Sequence, residues 1–164
     1  MSSQVLSAQV DLTPDLEAWI RFLRAHAATT RALSARLEGE HGLTLSDYDV
    51  LAQLFYAADH RMRRIDLART VLLTASGITR LLDGLERTGW VCKQRCASDA
   101  RVTYAVLTEA GLAKFREAQA SHLADLQELF GSRFTRQEQL VLSELLGRLP
   151  LAPAHVACGG DEKS

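Results

Sequence analysis

The feature that most constrains this chain is a change of period at Gly89. Before it, Ile78, Leu81, Leu82 and Leu85 fall at i, i+3, i+4 and i+7, the apolar stripe of an amphipathic helix predicted to run from a cap at Thr74 to Thr88. After it, Trp90 to Arg95 reads as a strand, Cys96 to Ala100 as a turn, and Arg101 to Leu107 as a second strand. In that second strand Val102, Thr103 and Tyr104 are β-branched or aromatic in a row. A helix must therefore hand over directly to a hairpin. Gly89 stands at the junction, where a left-handed residue is least costly.

Helical periods flank this unit on both sides. Leu16, Trp19, Ile20 and Leu23, continued by Leu33 and Leu37, predict a first helix over about 14–37, opened by Thr13 and Pro14 and punctuated by Gly39, His41 and Gly42. A second helix is expected from Ser46, with Asp49 three residues on as its capping partner and Val50, Leu51, Leu54 and Phe55 facing inward. A short third follows at 63–70, with Ile65, Leu67 and Ala68 as its apolar residues. Thr108 caps a fifth helix to about Phe130, and Thr135 with Glu138 forms a capping box for the last, which ends before Pro150. Gly84, inside the fourth helix, costs about 1 kcal/mol against alanine.

At 164 residues the chain is long enough for one domain, 1–164. It divides into a central unit at 45–108, flanking helices at 14–39 and 108–149, and a tail at 150–164 expected to be mobile. The fold class is mainly α with a small two-stranded β wing. The last helix carries Leu140, Val141, Leu142, Leu145, Leu146 and Leu149, an apolar stripe wider than one contact face needs. Burial of this stripe against the same helices of a second copy is expected, which predicts a homodimer with 14–39 and 108–149 as dimerisation helices.

Charge is distributed unevenly. Residues 61–103 hold nine basic and four acidic side chains, a net +5, although the whole chain carries only -1. A basic middle between acidic flanks suits a polyanion-binding element on a scaffold kept off the anion. Three helices followed by a hairpin make a winged helix-turn-helix, which reads double-stranded DNA by laying a helix in the major groove. Ser76, Thr79 and Arg80 are then candidates for base contact, Ala75 and Gly77 let the backbone approach closely, and Thr74 and Gly77 are further DNA-contact candidates. The hairpin arginines Arg95 and Arg101 are candidates for the neighbouring minor groove.

The stretches Ile65-Asp-Leu-Ala-Arg-Thr, Thr74-Ala-Ser-Gly-Ile-Thr-Arg-Leu-Leu-Asp-Gly-Leu-Glu-Arg-Thr-Gly-Trp-Val and Ser98-Asp-Ala-Arg-Val-Thr-Tyr-Ala-Val-Leu-Thr-Glu-Ala-Gly resemble the MarR family of bacterial regulators. The resemblance is close over about 45–115. It implies a homodimeric repressor on a palindromic operator, released by a small aromatic or phenolic effector or by thiol oxidation. It also makes Arg101 the wing arginine and Asp99 the residue that orients it. The sequence departs from the family pattern at Ala100, where a second arginine is common, at Ala97, where proline is common, and at Leu72, where glycine is usual. Trp19, Asp49 and Arg80 resemble a residue set of the family's urate-responsive branch. With Tyr48 as a further lining candidate, Trp19, Tyr48 and Asp49 are the expected effector contacts.

Other readings weigh less. Cys92 and Cys96 could form a redox switch in the wing, but the chain has three cysteines in no framework spacing and no partner set at metal-ligand spacing, so reduced, inert thiols and no metal are expected. His26 and His122 lie on mainly apolar helices and read as packed or interfacial. No nucleophile triad, metal motif or phosphate loop appears, so neither an enzyme nor a cofactor is expected. A dimerising adaptor that never touches DNA would leave the +5 segment without a role. The longest stretch free of Asp, Glu, Lys and Arg is the 12 residues 149–160, against the roughly 20 apolar residues of a membrane span. With no basic residue in the first ten, the expected compartment is the cytoplasm.

Overall fold

The computed structural model describes residues 13–71, 75–96, 99 and 101–149. Thr74, Leu72, Ala97, Ala100 and the tail at 150–164 lie outside these described residues. The elements run α1 (Pro14–His41), α2 (Leu45–Tyr56), β1 (Arg61–Arg63), α3 (Arg64–Thr70), α4 (Ala75–Arg87), β2 (Val91–Arg95), β3 (Thr103–Leu107), α5 (Glu109–Leu129) and α6 (Arg136–Leu146).

Two helix starts differ in detail from the sequence reading. Thr13 precedes α1 in extended conformation, but its side chain caps no amide. It bonds instead to the Asp15 carboxyl, which this contact holds below the usual carboxylate range. The cap of α2 is Thr44, not Ser46: Thr44 Oγ1 accepts the Asp47 N–H at 3.1 Å, and the Asp47 carboxylate accepts the Thr44 N–H at 2.9 Å. Both Thr44 and Ser46 have an aspartate three residues on. Thr44 wins because α1 closes at Gly42 and Leu43 is fully buried, so the turn must restart at once. Asp49 is thereby freed from capping and lies within the helix.

The hairpin is joined by a strand that the sequence reading missed. β1 pairs antiparallel with β3, giving a three-stranded sheet in the order β1-β3-β2 rather than an isolated two-stranded wing. A 3-10 turn over Ala58–His60 feeds β1, with Asp59 (φ 53°) and His60 (φ 51°) in the left-handed region. The His60 ring bonds the Phe55 carbonyl at 2.9 Å and braces that turn. Gly89 has φ 78°, as the change of period requires.

One core joins α2, α3, α4, the sheet and the middle of α5. Val50, Leu51 and Leu54 meet Leu67, Ile78, Leu82 and Leu85, with Val91, Ala105 and Phe115 closing the far side. Phe115 sits fully buried, its ring 4.7 Å from that of Phe55 and 5.4 Å from that of Tyr48. Ile65 does not join this core. It is 59% exposed, because Leu67 and Ala68 take the buried face of the short α3.

The outer helices present a different surface. Only Leu33 and Leu37 of α1 are buried, and no residue of α6 is. Among the described residues every exposed large apolar side chain except Tyr56 and Ile65 belongs to α1, the end of α5, the Phe130–Phe134 connection or α6 and the residues just past it. The C-terminal half of α1 is clasped to α5: Arg36 donates to Asp125 and, at 2.9–3.0 Å, to both oxygens of Glu128. His41 bonds Ser121 at 2.6 Å.

Candidate nucleic-acid interface

The helix α4 buries Ile78, Leu82 and Leu85 and turns Ser76, Arg80, Asp83 and Arg87 outward, each about one turn from the next. Its two halves differ. Towards the C-terminal end, Asp83 and Glu86 face β2 and hold the Lys93 ammonium, at 2.8 Å for Glu86. Lys93, one of the nine basic residues of the middle segment, is thus committed inside the unit and fixes the hairpin against α4. Towards the N-terminal end the outward residues are Ser76, Thr79 and Arg80, short or forked polar side chains of the kind that reach base edges. Thr79 Oγ1 accepts a hydrogen bond from Arg64 Nη1 at 3.2 Å.

Register decides which hairpin residues share the side of α4. Val91, Lys93 and Arg95 oppose Leu107, Ala105 and Thr103. The burial of Val91 and Ala105 and the ion pairs of Lys93 place that face towards α4, so the exposed Arg95 shares it. Cys92 and Gln94 lie on the opposite face with Tyr104, Val106, Arg61 and Arg63. At the turn, the Asp99 carboxylate accepts the backbone N–H of Arg101 at 2.9 Å, and the Asp99 carbonyl accepts that of Val102 at 3.0 Å. Asp99 therefore acts on Arg101 through the main chain, fixing where the exposed arginine leaves the hairpin.

Neither wing cysteine is in a disulfide. Cys92 lies on the strand and Cys96 directly beyond it, still paired to Val102 through its N–H. Four extended residues span about 13 Å, and a disulfide needs Cα atoms within about 7 Å. Cys92 and Cys96 cannot join without rebuilding the hairpin. Among the described residues no group of histidine, cysteine and acidic side chains could hold a metal, and no helix is long and apolar enough to cross a membrane.

The three effector candidates do not line one cavity of the single chain. Trp19 opens into a cleft of about 740 Å³ between α1 and the Phe130–Leu149 region, bordered also by Phe22, His26 and Leu146. Tyr48 and Asp49 lie on α2 instead. The Tyr48 ring packs 4.3 Å from that of His122, and burial pushes its hydroxyl up to about 12. Burial likewise raises Asp49 above the usual carboxylate range, against a long 3.5 Å contact from Gln53. His122 is buried, its Nδ1 has no hydrogen-bond partner among the described residues, and burial lowers its pKa.

Two contributors escaped the sequence reading. Arg63 and Arg64 counted only towards net charge. Their placement at the β1–α3 junction depends on the pairing of β1 with β3, which no local pattern announces.

Residues 32–118 match the family model of the transcriptional regulator SarA/Rot. The HTH-type transcriptional regulator MhqR of Bacillus subtilis (strain 168) is 26% identical over 136 residues, covering 83% of this chain and 91% of that protein. AbsC, a MarR family transcriptional regulator from Streptomyces coelicolor, superposes with a TM-score of 0.78 at 30% identity, over 82% of this chain and 91% of that one. A second MarR family regulator from Streptomyces coelicolor, crystallised in complex with DNA, gives a TM-score of 0.79 at 26% identity over 83% and 86%. These relatives are transcriptional regulators rather than enzymes. With the winged unit, its flanking helices and this coverage in agreement, the chain belongs to the MarR family of winged-helix transcriptional regulators.

Proposed function

We propose that the protein is a homodimeric, sequence-specific repressor that binds a palindromic operator and is released by a small aromatic or phenolic effector. The observation that carries the DNA reading is the outward N-terminal half of α4, with Ser76, Thr79 and Arg80, set beside a hairpin that Lys93 locks in place. In this reading Thr74, Ser76, Gly77, Thr79 and Arg80 meet the major groove. Arg95 and Arg101 enter the adjacent minor groove, and Asp99 sets the exit of Arg101. The crystallisation of the second Streptomyces coelicolor regulator in complex with DNA is in keeping with such docking.

The dimer reading is supported by the apolar faces of α1 and α6. Trp19, Leu140, Val141 and Leu145 are 46–57% exposed in the single chain, and large exposed apolar faces mark interaction sites. Two such subunits set their reading helices in successive major grooves, about 34–36 Å apart. An effector lodged between the dimer helices and the winged unit changes that spacing, so that both helices no longer dock together. Trp19, Tyr48 and Asp49 are its proposed contacts.

Selection of duplexes from a random pool by the purified protein tests the DNA reading. Arg80→Ala is expected to relax base preference by about 1–3 kcal/mol at one position in each half-site. Arg101→Ala weakens binding more uniformly. Enrichment of no duplex at low salt refutes the reading. A panel of phenolic acids and purines, followed by operator affinity and thermal shift, tests the effector; equal affinity with and without every bound compound refutes release.

A further inference from the structure

We infer that Arg63 and Arg64 grip the sugar-phosphate strand that runs between the groove read by α4 and the groove entered by the hairpin, with Tyr104 as the residue that positions Arg63. The inference rests on the DNA reading above and adds to it a contact site on a third element.

Arg63 and Arg64 are neighbours in sequence but reach in different directions. Arg64, the first residue of α3, donates to Thr79 Oγ1 on α4 at 3.2 Å. Arg63, the last residue of β1, hydrogen-bonds the side chain of Tyr104, its cross-strand partner on β3. Tyr104 itself lies three residues beyond Arg101. Two adjacent arginines thus bridge the base-reading helix and the root of the wing. In duplex DNA the major and minor grooves are separated by one phosphate strand. A protein that fills both grooves must let that strand pass beside both of its reading elements, and the junction of β1 and α3 touches both, α4 through Arg64 and β3 through Arg63.

The side chains are held ready for this. The Arg61 guanidinium packs 5.4 Å from the centre of the Tyr104 ring, and the Tyr104 side chain hydrogen-bonds Arg63. Both Arg63 and Arg64 are exposed. Lys93 is held by two carboxylates, Asp83 and Glu86, whereas Arg63 bonds the neutral Tyr104 side chain, with Asp66 acting on it through space, and Arg64 bonds the neutral Thr79 hydroxyl. A guanidinium fork ordered before binding loses less freedom when it closes on a phosphate. Phosphate contacts of this kind set register and salt dependence but carry no base preference.

The experiment uses the full chain and duplexes that the wild type enriches from a random pool, titrated by fluorescence anisotropy over a series of salt concentrations. Each phosphate contact contributes about 0.9 to the slope of log affinity against log salt. Arg63→Ala with Arg64→Ala is expected to make that slope shallower by about 1.8. Arg63→Ala alone lowers it by about 0.9 and weakens all enriched duplexes alike, without changing their ranking. Arg63→Lys retains the charge and keeps the wild-type slope. Tyr104→Phe keeps the slope and weakens every duplex about threefold. A double variant that melts as a folded protein and keeps the wild-type slope overturns the inference while leaving the DNA reading intact. So does a changed ranking in Arg63→Ala. A wild type that enriches no duplex instead overturns the reading on which the inference rests.

Discussion

Gly111 gives the sharpest test of the packing that holds the wing to the helices. A Cβ added there would stand 2.0 Å from the Trp90 carbonyl oxygen and 2.8 Å from both the Trp90 carbonyl carbon and Leu107 Cδ1. The first two are backbone atoms, so the clash is relieved only by moving the start of α5 away from the strand by well over an ångström. That joint is hydrogen-bonded three ways. Thr108 N–H donates to Trp90 O at 3.1 Å, Thr108 Oγ1 donates to Gly89 O at 2.6 Å, and Thr108 Oγ1 caps α5 by accepting the Gly111 N–H at 3.0 Å. Overpacking costs about 1–3 kcal/mol, and a lost backbone bond and a lost cap cost about 1 kcal/mol each. Gly111→Ala is therefore expected to destabilise the protein by about 3–5 kcal/mol. At about 2–4 °C per kcal/mol for a chain of this length, the melting temperature falls by roughly 6–20 °C. Gly84→Ala is the matched control: nothing lies within 4 Å of its new Cβ, so the helix gains about 1 kcal/mol and melting rises by about 2–4 °C. Thermal melts at one fixed protein concentration read both, since association raises apparent stability. A Gly111→Ala protein melting within 2 °C of wild type refutes the reasoning.

Phe115→Ala empties the centre of the aromatic cluster and is expected to cost about 3–5 kcal/mol in urea unfolding. His122 makes stability depend on pH. Its folded-state pKa is lowered by burial, so the unfolded chain takes up a proton first as pH falls through the ordinary value of 6.5. Stability is full above that value and declines until the lowered folded-state value is reached; His122→Leu should flatten this part of the urea-midpoint profile, and an unchanged profile contradicts it. Substituting Leu140 and Leu145 with aspartate removes apolar surface that the chain itself does not bury, so sedimentation should report a folded monomer and not a loss of secondary structure.

The helices were legible because their stripes are regular. Ile78, Leu82 and Leu85 all face the core, and the Thr135–Glu138 box and the Thr108 cap stand where the spacing put them. What failed was decided by distant parts of the chain. β1 is Arg-Met-Arg, three residues without a β-branched side chain, and it exists because β3 offers an edge. The start of α2 was a choice between two Thr/Ser-x-x-Asp boxes two residues apart, settled by the burial of Leu43. The α1 stripe of Leu16, Trp19 and Leu23 was read correctly as apolar, but it stays exposed within the chain. In the candidate site, residue type picked out Ser76, Thr79 and Arg80 on the outer face of α4. Charge alone could not separate Lys93, neutralised by two acids, from Arg64, bonded to Thr79 on α4, and Arg63, bonded to Tyr104 on β3.

Native mass spectrometry of the full chain bound to a duplex it has enriched counts the subunits that dock together. Two copies on one duplex are expected, their half-sites centred one helical turn apart. A saturated complex holding a single copy, or no complex at all in dilute salt, would contradict it.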